Sequence, residues 1–396
     1  MRWFFLAYGY EPGLRPDAGG FRKLWELAHA LQQLGHEAHV FYPGLPGFEP
    51  LRAVPAHRYP VLPARGLRPA SAYASMAMAA LRAGRRGRPD VLYFRTGVDV
   101  LPVGLGRVLG ARVVLEVNAD VSEFLGREGA PRWRRRLFAA AERLNVGRSD
   151  LVVALTPGLR RTLIERYRVP EAKVRVIPSG TDPAHFVPGD AGAAKARLGL
   201  GPDRPVVGFV GLFYRHQGVQ TLVAAAPRLL AAVPGCLLLL VGDGVMRAHC
   251  EAEAARLGVA ASVRFTGQVA YRDVPGYLRA MDVLAAPFTG DRGETSPFKV
   301  LDALASGRPV VASALPSVRP LAEETGAVSL VPPDDPAALA DALAALLHDP
   351  ARRRAAGAAG RAWVVERYGW PRIARELAAA LTPAARHGGE RIGLAT

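Results

Sequence analysis

The stretch Gly293-Glu294-Thr295-Ser296-Pro297-Phe298-Lys299-Val300-Leu301-Asp302-Ala303-Leu304-Ala305-Ser306-Gly307-Arg308-Pro309-Val310-Val311 packs a loop, a short helix and the start of a strand into one run. Ser296 stands where a helix N-cap is expected, and Pro297 falls in the first turn, where a missing N–H costs nothing. Gly307 can close the helix in a left-handed conformation, and Pro309 begins the following strand. A loop bearing Glu294 therefore feeds the positive end of a helix, whose free backbone N–H groups can hold a phosphate. Asp302 lies in that helix among Val300, Leu301, Ala303 and Leu304, an odd place for a carboxylate without a partner.

The same helix-to-strand rhythm extends in both directions. The N-terminal run Arg2–Tyr8 is too short and wrongly flanked for a secretory leader and reads as a buried first strand. Gly19-Gly20 opens a helix whose apolar residues Phe21, Leu24, Leu27, Ala28 and Leu31 recur at three and four. It ends at Gly35, and a second strand spans Glu37–Tyr42. Short β-rich runs follow at Val91–Phe94, Arg112–Val117, Leu151–Leu155 and Val174–Ile177. A polar, Gly-rich segment at 189–204 precedes a second series: Val206–Val210, Cys236–Val241, Val263–Phe265, Val283–Ala286 and Pro309–Ala312. Two successive βα arrays predict two α/β domains, each a doubly wound parallel sheet, facing each other across a cleft. Ligands bind such sheets at the carboxyl ends of the strands.

Composition narrows the classes. A length of 396 residues predicts two or three domains with cores of their own, and the 50% apolar content excludes a disordered chain. No run of about 18 apolar residues exists to span a bilayer. Cys236 and Cys250 are too few and too isolated for a disulfide framework or a zinc site, which points to a reducing compartment. The chain carries 51 basic and 35 acidic residues, net +16; residues 1–200 account for +13 of this. Anionic partners are thereby favoured for the first half, although only four of the basic residues are lysines, a sign of compositional bias as much as of function.

Vicinal sugar hydroxyls suit the buried acid, because an ionised carboxylate accepts two hydrogen bonds. Glu294 and Asp302 could bracket a nucleotide sugar, one at the transferred sugar and the other at the ribose, with Lys299 reaching the diphosphate. The pattern Glu294-x7-Asp302 with Ser296-Pro297-Phe298-Lys299 inside it resembles the Glu-x7-Glu element of retaining glycosyltransferase family 4. Further pieces are similar in the same order: Gly19-Gly20, Gly35-His36-Glu37, Glu116-Val117-Asn118, Ile177-Pro178-Ser179-Gly180-Thr181-Asp182, Gly211, Gly218-Val219 and Val241-Gly242-Asp243-Gly244. The resemblance runs from about residue 1 to 382.

It implies a GT-B enzyme of two facing Rossmann-like domains: an acceptor-binding domain over 1–188, a linker at 189–204 and a nucleotide-sugar-binding domain over 205–366. A helix at 367–382 would cross back to the first domain, and 383–396 would be a flexible tail. It also implies a sugar nucleotide of UDP, GDP or dTDP type as co-substrate, a glycan or lipid-linked acceptor, retention of configuration, and no cofactor or metal ion. Glu294 and Asn118 would act at the reacting centre. Asp302, Ser296, Pro297, Phe298, Lys299, Arg215, Gly211, Gly19, Gly20 and Gly242 would hold the donor.

The chain departs from the family in instructive places. The Arg and Lys that many members place beside the glycines matching Gly211 and Gly218 are Leu212 and Gln217 here, so Arg215, His216 and Lys299 are the available phosphate partners. Asn118 stands where a His is frequent, and Asp302 replaces Glu. Arg132-Trp133-Arg134-Arg135-Arg136, at the head of a helix continuing through Leu137 and Phe138, suits a peripheral contact with anionic lipid on the inner face of the cell membrane of a cytoplasmic enzyme, or a plain solvated face. Two rival classes remain: a sugar-nucleotide epimerase or hydrolase on the same fold, distinguishable by products formed without acceptor, and a basic nucleic-acid-binding protein, for which no recognition motif is present. No Gly-x-Gly-x-x-Gly opens either domain, which argues against a dinucleotide oxidoreductase.

Overall fold

In the computed structural model the described residues are 1–9, 19–64, 67–96, 100–119, 125–126, 130–293 and 296–382. Glu294, expected in the reacting centre, and the tail 383–396 lie outside them.

The first sheet contains β1 (Arg2–Leu6), β2 (Glu37–Pro43), β3 (Ala56–Tyr59), β4 (Val91–Arg95), β5 (Arg112–Val117), β6 (Leu151–Ala154) and β7 (Val174–Val176), all parallel, in the order β3-β2-β1-β4-β5-β6-β7. The second contains β8 (Val206–Val210), β9 (Leu237–Val241), β10 (Val263–Gly267), β11 (Val283–Ala286), β12 (Val310–Ser313) and β13 (Val328–Val331), in the order β10-β9-β8-β11-β12-β13. Helices cover both faces, so the strands read as continuous apolar runs; every residue of Leu237–Val241 is buried. The strand order reverses between β1 and β4 and again between β8 and β11. A crevice opens at the carboxyl ends of such pairs, and this is where open α/β sheets take ligands.

Two strands escaped the sequence reading. β3 (Ala-His-Arg-Tyr) and β13 (Val-Ser-Leu-Val) are edge strands of four residues with mixed burial, too short and polar for an apolar run to mark them.

The chain returns to its first domain at the end. The helix Pro350–Tyr368 gives way at Gly369 to the helix Trp370–Leu381. Trp370, Ile373, Leu377 and Leu381 share a core with Leu24, Leu27, Ala28 and Leu31 of the first helix, Gly19–Gln33. Thr181 fastens the crossing: its N–H donates to the Tyr368 carbonyl at 2.8 Å, and its carbonyl accepts from the Trp370 N–H at 3.3 Å.

Candidate functional site

Where β8 ends at the second reversal point, Gly211 and Leu212 lead into a 3-10 turn at Arg215–Gln217. Gly242 follows β9 with φ 134°, and a Cβ there would collide with the Gly211 carbonyl, so the two strand-end loops meet because residue 242 is a glycine; a Cβ at Gly211 would instead crowd Lys299. Between these loops and the helix Phe298–Ala305 lies a cavity of about 410 Å³. Its walls include Gly211, Gly242, Ser296, Phe298, Lys299 and Asp302 from the sequence reading, and also Arg22 from the first domain and Arg292.

Lys299 is the electrostatic centre of that wall. Its Nζ is buried, makes no hydrogen bond among the described residues, and sits 3.7 Å from the centre of the Phe209 ring and 5.3 Å from that of Phe288. Burial, and then the neighbouring Arg292 charge, hold its pKa well below that of an ordinary lysine. Arg292 stacks over Phe288 at 3.9 Å and donates to the Ser296 carbonyl at 3.1 Å. The two acids of the same wall are already engaged: Asp302 with Arg22 at 2.8 Å, and Asp243 with Arg247 at 3.0 Å. The wall thus sets the Lys299 amine, with no hydrogen-bond partner among the described residues, beside the Arg292 guanidinium, an arrangement that suits a compact polyanion.

The helix bearing Asp302 begins one residue later than expected. Phe298 is its first residue, Pro297 occupies the cap position, and no side chain caps it; Ser296 is buried just before and lines the cavity. This corrects the N-cap reading of Ser296: Pro297 at the cap has φ −88° and ψ 59°, which leaves the Ser296 side chain one residue short of the free N–H groups. Gly307 ends the helix at φ 69°, as expected.

Asp302 is buried and clasped from two sides: its Oδ2 accepts from Arg22 Nη1 and its Oδ1 from Thr181 Oγ1, each at 2.8 Å. Burial pushes its carboxyl above the ordinary range, and the Arg22 guanidinium is the main influence opposing that. Lys299, three residues back on the same helix, forms no ion pair with it; Asp302 pairs with Arg22 instead.

In the first domain a separate polar cluster sits at the ends of β4 and β5. Glu116 is fully buried. It pairs with Lys23 Nζ at 2.7 Å and Arg95 Nε at 3.2 Å and accepts a hydrogen bond from the Tyr93 hydroxyl. Burial alone would raise its pKa; the two cations outweigh this and hold it below the ordinary range. Asn118 Oδ1 accepts from the same Arg95 Nε at 3.3 Å. Gly19 starts the first helix, and Gly20 is where Arg95 lies against the helix backbone: a Cβ would collide with Arg95 Nη1. Gly20 therefore makes room for a side chain of its own domain.

The structure brings Lys299, Asp302, Ser296, Phe298, Gly211 and Gly242 to one cavity; among the described residues, Pro297, Gly20 and Asn118 do not line it. Nor is Arg215, whose side chain is exposed on the 3-10 turn while its neighbours His216 and Gln217 line the wall. Arg292 stands in its stead. Sequence reasoning missed Arg292 and Arg22. The absence of basic residues at Leu212 and Gln217 signalled that a cation had to come from elsewhere, whereas no local pattern marks a residue that acts across the domain junction.

Residues 19–185 match the family described as Glycosyltransferase Family 4, and residues 204–349 that described as Glycosyl transferases group 1. Among curated relatives, the chain is 34% identical over 61% of its length to a D-inositol 3-phosphate glycosyltransferase of Segniliparus rotundus, of which the match covers 54%. It is 32% identical over 63% of its length to a GDP-mannose-dependent alpha-(1-6)-phosphatidylinositol monomannoside mannosyltransferase of Mycolicibacterium smegmatis, of which the match covers 70%. The chain spans about half the length of the first such relatives it matches. Among solved structures, the Anabaena protein HepE, in complex with UDP and glucose, superposes with a TM-score of 0.74 at 20% identity, covering 96% of this chain and 99% of that one, which shows the shared GT-B fold.

Proposed function

The chain belongs to glycosyltransferase family 4, and we propose that it moves a sugar from a nucleotide-sugar donor to a glycan, glycolipid or lipid-linked acceptor, with retention of configuration and without a metal ion. One observation carries the reading: Lys299, a buried ammonium without a hydrogen-bond partner among the described residues, lines the cavity at the reversal point of the second sheet. A diphosphate supplies the missing counter-charge. Lys299 and Arg292 would neutralise the charge that develops on it as the glycosidic bond breaks, the work a divalent ion does elsewhere. The dominantly apolar remainder of the cavity, with Tyr271, Val274 and Leu278, suits a nucleobase.

Glu294 stands two residues before Ser296 in the sequence, and we assign it to the transferred sugar, with Asp302 directed to the ribose. Retention would proceed by attack on the face the leaving group departs from, which requires no side-chain nucleophile. Asn118 would face the acceptor as a hydrogen-bonding group. The donor is of UDP, GDP or dTDP type.

A lipid-linked acceptor is supported by the helix Arg132–Arg148, where Trp133 is 67% and Leu137 56% exposed beside Arg132, Arg135 and Arg136, an array suited to the headgroups of an anionic membrane surface. We assign this array to a peripheral contact on the cytoplasmic face; no helix among the described residues is long and apolar enough to cross a membrane.

The test is product analysis. Incubated with a panel of sugar nucleotides and acceptor glycolipids in excess chelator, the protein should release nucleoside diphosphate in step with glycosylated acceptor. Glu294→Ala should lose at least a hundredfold of that turnover while keeping its unfolding midpoint. Activity abolished by chelation, or an E294A protein with unchanged turnover, would contradict the assignment.

A further inference from the structure

Arg22 is carried by the first helix of the N-terminal domain, yet its surroundings belong to the other. It is 8% exposed, its guanidinium lies 5.2 Å from the ring centre of Tyr271 and 4.8 Å from that of Phe298, and its Nη1 donates to Asp302. All three residues line the donor cavity, and so does Arg22 itself. Its Nε is buried and makes no hydrogen bond among the described residues. Burial, the largest single influence, would lower its pKa; the Asp302 charge and hydrogen bond, with Tyr271 and Glu26, together outweigh it, so the guanidinium is raised above its ordinary value and stays charged.

The remaining oxygen of Asp302 is held by Thr181, which also fastens the crossing of the C-terminal helix. Next to it, Asp182 pairs with Arg52, and Arg52 pairs with Glu26 at 2.9 Å, one turn along the helix that bears Arg22. Asp302 is thus the node to which the first helix and the segment joining the domains both attach.

We propose that Arg22 is a cross-domain positioning residue for the donor: by fixing and neutralising Asp302 from the opposite domain, it makes nucleotide affinity depend on the junction between the two halves. The inference rests on the cavity being the donor site. A planar guanidinium between two rings, paired with a carboxylate, fixes that carboxylate's orientation more tightly than a flexible ammonium would. Aspartate is one methylene shorter than the glutamate of the resembling element, and Arg22 reaches it from the N-terminal domain. Without Arg22, Asp302 would be a buried acid bonded to a single hydroxyl; it would gain a proton or swing out, and either change alters the surface a ligand meets.

The experiment is calorimetric titration of the full chain with UDP, GDP and dTDP. Arg22→Met keeps an apolar stem between Tyr271 and Phe298 and removes the charge; Arg22→Lys keeps the charge and loses the fork. Both should bind the preferred nucleoside diphosphate at least tenfold more weakly than the natural protein, with Met the weaker, and Thr181→Ala should lose several-fold. The double variant Arg22→Met/Asp302→Asn, which leaves no charge unpaired, guards against misfolding and should stay as weak as Arg22→Met. In turnover, the donor KM should rise more than kcat falls, a split that loss of fold alone would not give. If the natural protein binds a diphosphate and Arg22→Met binds it within twofold, Arg22 has no such role while the donor reading stands. If the natural protein binds none of the three, the donor reading falls first and this inference with it.

Discussion

Arg22 and Lys23 are consecutive residues of one helix, both buried and both paired with a buried acid, yet they serve different domains. Lys23 turns inward to Glu116, which also receives Arg95 and the Tyr93 hydroxyl, so the acid is met several times over within its own domain. Arg22 turns outward to Asp302 across the junction, where, among the described residues, one guanidinium and one hydroxyl hold it. The electrostatics follow: the cations keep Glu116 below the ordinary carboxyl range, whereas burial wins at Asp302 and raises it. A closed, over-satisfied cluster holds a fold together. A sparsely held acid beside a cavity is left with capacity for a ligand.

That contrast can be broken by mutation. The largest effect belongs to Glu116→Ala, which strands Lys23 without its carboxylate; urea unfolding should show a loss of about 3–5 kcal/mol. A loss under about 1 kcal/mol would erase the distinction between the clusters. Next comes Lys299→Ala, whose amine has no acid partner among the described residues. Turnover should fall about a hundredfold or more, the cost of losing one charge-stabilising group, with stability unchanged or higher because a lone buried ammonium is gone. A matching loss of stability would make Lys299 structural.

Lys299 also sets a sign for pH. Burial depresses it in the free protein, and a bound diphosphate favours its charged form, so binding should take up a proton and weaken as pH rises through the bound lysine's pKa. Calorimetry in buffers of differing ionisation enthalpy reads this directly, and proton release would contradict it. Gly20→Ala places a methyl where the flexible end of Arg95 lies, and the helix gain of alanine offsets the shift that end must make, so stability should change by less than about 1 kcal/mol in urea unfolding; its donor affinity should be unaffected. The smallest effect is Arg215→Ala, exposed on its turn, which should leave donor affinity within twofold.

The doubly wound domains were legible because parallel strands buried on both faces leave apolar runs such as Val206–Val210 and Leu237–Val241. The cavity's own wall was legible through Gly211, Gly242 and the segment around Lys299, where chemistry and local structure share one stretch of chain. Arg22 was not, because its partner is 280 residues away in sequence and nothing near it distinguishes it from any helical arginine. The exposure of Arg215 beside the lining residues His216 and Gln217 has the same origin: neighbours on a tight turn point in different directions, and the sequence does not say which faces inward. Arg292 shows the converse, a cation supplied by a loop next to the motif yet outside its pattern.

The central claim is that the cavity beside Lys299 receives a diphosphate. Calorimetric titration of the full chain with UDP and GDP against UMP and GMP tests it most directly. The preferred diphosphate should bind at least tenfold more tightly than its monophosphate, and Lys299→Ala should abolish that difference. Equal affinities for di- and monophosphate in the natural protein, or a preference that survives in K299A, would contradict it.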